Sequence, residues 1–118
     1  MVSAADLTIV REEIGDQLYY DPNTSSPTDV YIVVDGDTSS TPIKITSEYG
    51  EAWVYNDYSY DDYTSTYKAY AVEANTYIDS SGNSVDGYIL AIKSEYGYSD
   101  NLTTDWSTYN VSSEGVID

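Results

Sequence analysis

From residue 29 onward, β-branched and aromatic side chains return at every second position within a series of short runs. That alternation restricts the possible folds more than any other feature, because a period of two places successive side chains on opposite faces of a strand. The runs 29–35, 42–48, 51–56, 65–74, 87–96 and 105–111 carry it. In the first, Val30, Ile32 and Val34 alternate with Tyr31 and Val33. Both of its faces are apolar, as in a strand covered on both sides. In 65–74, Tyr67, Ala69 and Ala71 share one face and Lys68, Tyr70 and Val72 the other; in 87–96, Ile89, Ala91 and Lys93 oppose Tyr88, Leu90 and Ile92. Turn formers separate the runs: Asp35-Gly36-Asp37, Glu48-Tyr49-Gly50, Asp79 to Asn83, and Asp86-Gly87. About six short strands without intervening helices predict a mainly β domain, an antiparallel β-sandwich or barrel.

The N-terminal segment follows a different period. Leu7, Val10, Ile14 and Leu18 recur at spacings of 3, 4 and 4, one stripe of a helix. Ser3 can cap it, Asp6 suits its positive end, and Asp21-Pro22-Asn23 would stop it. Gly15 within the run weakens it by about 1 kcal/mol relative to Ala. The expectation is a short α-helix over 3–20, a polar loop over 21–28 and a β domain over 29–118, all one domain, since 118 residues hold one core comfortably. The stripe either closes the chain's own core or docks on a neighbouring subunit.

Leu, Ile and Val total 23 and Phe is absent, while 21 acids face 4 bases for a net charge of −17. Such a composition leans towards disorder. Against that stand 15 Tyr and 2 Trp, each able to bury about 150–250 Å². The core is therefore expected to lean on tyrosine. Molar salt shrinks the Debye length to roughly 3 Å, so a charge of −17 would then oppose compaction far less. Few lysines, Asp in excess of Glu and few large aliphatics resemble proteins of halophilic organisms.

The same composition excludes whole classes of function. Without His or Cys there is no Ser-His-Asp or Cys-His nucleophile, no His or Cys zinc site and no disulfide framework. Nucleic acid and anionic membranes both repel a chain this acidic. The first ten residues lack the basic and long apolar regions of a signal peptide, and no apolar run reaches the ~18–20 residues of a membrane span. Paired carboxylates could serve a glycosidase, but with 21 acids some pair will meet any distance by chance. The expectation is no enzyme.

The most conspicuous segment is 55–64, with four Tyr, three Asp and no base. Read as a loop, it offers Tyr58, Tyr60 and Tyr63 as rigid contacts for a protein interface, or as a stacking platform for a sugar whose hydroxyls meet Asp57, Asp61 and Asp62. Calcium is the one metal that the inventory permits, as it takes oxygen ligands. Asp79, Ser81, Asn83 and Asp86 in one loop, and Asp57, Asp61 and Asp62 in another, are its candidates; otherwise no cofactor is expected. Asp, Asn and Ser also populate hairpin loops for conformational reasons alone. Ile45–Gly50 and Ile92–Gly97 agree at five of six positions, which suggests two strands ending in one turn type.

These readings converge on a non-enzymatic structural or interaction protein that binds other subunits of a larger assembly, itself included as a homo-oligomer. The concrete expectation is a virion structural protein adapted to high salt, such as a capsid decoration or head–tail component. The alternative is a secreted or cell-surface binding module, calcium-dependent and carbohydrate-binding. Both place the chain on a virion or an extracellular surface.

Overall fold

The structure, a computed structural model, describes residues 3–11, 15–24, 28–50 and 55–118. Among the described residues, eight strands form two antiparallel four-stranded sheets. The first sheet holds β1 (Thr8–Ile9), β2 (Gln17–Tyr20), β3 (Val30–Val33) and β4 (Ile43–Lys44). The second holds β5 (Tyr55–Tyr60), β6 (Tyr63–Ile78), β7 (Ser84–Tyr98) and β8 (Asn101–Ser112). Strand order equals chain order in both, so each sheet is a meander. The sandwich-like reading holds, but the sheets do not close into a barrel, and the described strands number eight rather than about six.

The N-terminal helix is not formed. Among the described residues of 3–20 the only helical turn is a 3₁₀ turn at Ala4–Asp6, followed by β1 and β2. The two strands pair as a hairpin, Thr8 opposite Tyr20 and Ile9 opposite Tyr19, and the Val10 amide donates to the Leu18 carbonyl at 2.8 Å. Gly15 adopts φ +92°, outside the helical region. The physical reason for the change lies in β3, where Val30, Tyr31, Ile32 and Val33 are all buried. Such a strand needs partners along both edges to satisfy its backbone, and β2 supplies one of them, with Leu18 opposite Ile32. Tertiary pairing overrides a helical spacing carried by only four residues.

The core lies between the sheets. Leu18, Val30 and Ile32 from the first, with Ile45 just past β4, meet Ala69, Val72, Leu90, Ile92 and Val111 from the second. Tyr20, Tyr55, Tyr67, Tyr88 and Tyr109 pack around them, so tyrosine does extend a small aliphatic core. The Tyr20 and Tyr55 rings stack at 5.3 Å between the two sheets. At the C-terminus Val116 bridges to Thr46 and Ile117 to Val111. One segment thereby ties both sheets together.

Candidate interaction surface

The second sheet is far longer than the first. Strands of two to four residues span at most roughly 13 Å at ~3.3 Å per residue, whereas β6 and β7 contain 16 and 15 residues. The first sheet therefore covers only one end. From residue 56 to 66 and from 93 to 106 no side chain is buried, and this half of the second sheet projects beyond the core.

Segment 55–64 is not the loop expected from its polarity. Tyr55–Tyr60 is a strand, Asp61 and Asp62 form the turn, and β6 begins at Tyr63. Asp61 takes φ +51°, a conformation Asp tolerates better than most residues. Strand register then fixes which side chains meet. Tyr60 faces Tyr63, which faces Tyr98; Tyr58 faces Ser65, which faces Tyr96. All five tyrosines lie on the face that continues the core face, in line with Tyr67, Ala69 and Ile92. Tyr58, Tyr60 and Tyr98 are 56%, 67% and 66% exposed. The Tyr63 and Tyr98 rings pack edge to face at 5.5 Å. The Tyr96 hydroxyl donates to Asp105 Oδ2 at 2.7 Å; that hydrogen bond and the carboxylate's charge raise its pKa.

Tyr58, Tyr60 and Tyr63 are thus brought together, and Tyr96 and Tyr98, missed in the sequence, join them. Their signal was the continued alternation of Tyr96 and Tyr98. It was obscured by reading Ile92–Gly97 as a strand end. Gly50 does close a turn, its amide donating to Ser47, but Gly97 lies within β7 opposite Thr64 and Leu102.

The aspartates separate from the tyrosines. Asp57 lies on the opposite face from Tyr58 by alternation and pairs with Lys68 Nζ at 3.2 Å. Asp61 and Asp62 are exposed at the turn. In the other calcium candidate, Asp79 Oδ1 accepts the Ser81 and Asn83 amides, each at 2.9 Å, while Asp86 Oδ1 accepts the Thr76 hydroxyl at 2.8 Å. The bond from Ser81 is that of an Asx turn, and the bond from Asn83 closes the same loop. Among the described residues no three Asp or Glu side chains are grouped to hold a metal ion.

The N-terminal stripe is divided. Leu18 is fully buried, Val10 packs against the core, Leu7 is half-buried, and Ile14 lies outside the described residues. Among the described residues no helix is long and apolar enough to cross a membrane. No protein-family model, curated protein or solved structure matches this chain.

Proposed function

We propose that this chain is a non-enzymatic interaction subunit of a larger assembly, which holds a neighbouring protein through the tyrosine face of its projecting half-sheet. The observation that carries this reading is the row Tyr58, Tyr60, Tyr63, Tyr96 and Tyr98 on a sheet face left uncovered by the short first sheet. Tyrosine presents a large apolar ring with a polar tip and loses little rotamer entropy on binding. Five on a hydrogen-bonded sheet form a preorganised contact surface. The non-enzymatic part of the reading rests on the absence of His and Cys from the chain. Its virion form, a capsid decoration or head–tail component working in high salt, rests on the acidic composition.

A photo-cross-linking residue at position 60 or 98 tests the reading in the native assembly. Cross-links to a neighbouring protein are expected from both positions. Position 49, also highly exposed, should give none. Tyr60→Ala with Tyr98→Ala should abolish incorporation and leave the melting temperature unchanged. Incorporation unaffected by that pair would reject the reading, and binding of the unmodified protein to a glycan array would favour a sugar platform in its place.

A further inference from the structure

The reverse side of the second sheet differs in charge from the other described surfaces. Register puts Lys68, Lys93 and Trp106 in one cross-strand row, with Thr66, Glu95 and Thr104 in the same-face row beyond it. On the other side of that first row come Ala71, Ala91 and Thr108, then Glu73, Ile89 and Asn110. The shift in register between Ala69 and Ala71 leaves Tyr70 as the extra residue, and its ring meets Trp106 edge to face at 4.9 Å. The Arg11 guanidinium lies over Tyr70 at 4.4 Å, and Lys93 Nζ lies 5.9 Å from the Tyr70 ring and 5.8 Å from Trp106.

Three bases, Arg11, Lys68 and Lys93, thus share a face with three acids, Asp57, Glu73 and Glu95. Lys68 pairs with Asp57 at 3.2 Å and Lys93 with Glu95 at 3.6 Å. The chain has 21 acids and 4 bases in all, so the one base beyond these three is Lys44. Among the described residues this face is locally neutral, in a chain of charge −17. It also shows apolar surface, with Trp106 55% and Leu102 49% exposed.

We propose that this face is a homotypic interface, on which a second copy of the chain lays the same face across a two-fold axis. Charge selects the occupant. A two-fold contact brings a patch against itself, and a neutral patch holding both signs is the surface that two acidic copies can bring together with least repulsion. Size agrees as well. About ten residues at ~3.3 Å and three to four strands at ~4.8 Å give roughly 500 Å² in plan. Side-chain relief raises the accessible area towards the ~800 Å² per partner of a stable complex. The tyrosine face on the other side stays open, so the inference stands apart from the proposed function.

Sedimentation equilibrium of the full chain tests it, at ~0.1 M and ~2 M KCl. The expected result is a monomer–dimer equilibrium that tightens with salt, as the repulsion between the outlying acids is screened. Trp106→Asp and Thr108→Asp, both at exposed positions, should each weaken the dimer roughly 30-fold or more, the scale of an interface hot spot. Tyr60→Ala on the other face should leave it unchanged. If one Asp variant fails to fold, the other decides. A chain that stays monomeric at both salt concentrations overturns the proposal, as does a dimer indifferent to a folded Asp variant or one broken by Tyr60→Ala.

Discussion

The Tyr67 hydroxyl donates to the Tyr109 hydroxyl at 3.0 Å, joining β6 to β8 across the strand between them. Both rings pack against the buried core, and the pair sits where the covered end of the sheet gives way to the projecting half. An intramolecular hydrogen bond contributes about 0.5–1.5 kcal/mol net. Tyr67→Phe and Tyr109→Phe should each cost stability of that order, and the double variant less than their sum, because the shared bond is lost only once. Urea unfolding of the four proteins measures the coupling. Strict additivity would show that the bond contributes nothing.

Alkaline pH should destabilise the fold earlier than a chain of exposed tyrosines would suggest. Burial raises the pKa of Tyr31, Tyr67 and Tyr88; acidic neighbours add to it at Tyr31 and Tyr88, and the bond to Tyr109 adds to it at Tyr67. The sign follows from linkage. With folded pKa values above the unfolded value of about 10, the unfolded state releases its protons first as pH rises. Stability from these tyrosines is complete below about pH 10 and is lost progressively towards their higher folded values. Melting temperatures measured across that window should fall steeply, and Tyr67→Phe should flatten part of the fall.

Salt should act in the opposite direction. Arg11, Lys68 and Lys93 apart, the chain of 21 acids has one further base, Lys44, whose contact with Asp29 is 3.5 Å long. Between ~50 mM and ~2 M KCl the Debye length shrinks several-fold. The melting temperature should climb throughout, measured at a protein concentration low enough to keep the chain monomeric. A flat response would remove the basis for a high-salt habitat.

The β class was legible because alternation is a property of each strand alone. So was β3, whose consecutive apolar residues announced burial on both faces. What could not be read locally was pairing. Leu7, Val10, Ile14 and Leu18 satisfy a helical spacing, and only the unpaired edge of β3, a long-range requirement, turns the segment around Leu18 into a strand. The site was half legible for a related reason. Tyr58, Tyr60 and Tyr63 stand out by density, but their polar neighbours suggested a loop. Strand polarity on both faces becomes sensible only once the second sheet outruns the first. Tyr96 and Tyr98 join them through register, which no window of sequence contains.

Gly87 offers a sharp local test of that register. A Cβ built there would collide with the Val111 backbone carbonyl, and it would also press on the Tyr77 ring at 3.0 Å. A carbonyl held in a β7–β8 ladder cannot move aside as a flexible side chain would. Gly87→Ala should therefore cost at least the ~1–3 kcal/mol of an overpacked core. Chemical denaturation reads it directly, and a neutral result would mean that β7 and β8 do not approach this closely.

Leu18 and Leu102 separate the two roles that leucine plays in this chain. Leu18 is fully buried, opposite Ile32 and within the central cluster. Leu102 lies on the projecting half-sheet and is 49% exposed. Truncating a buried leucine removes its transfer energy and leaves a cavity, about 2–5 kcal/mol in all. Surface substitutions usually stay within about 0.5 kcal/mol. Leu18→Ala should consequently take away a large part of a total stability of about 5–15 kcal/mol, and at low salt it should leave the chain largely unfolded. Leu102→Ala should leave the melting temperature of the monomer where it was, while weakening the dimer if the reverse face of the second sheet is its interface. Equal effects of the two on the monomer would place Leu18 outside the core and return the N-terminal segment to the role of a docking arm.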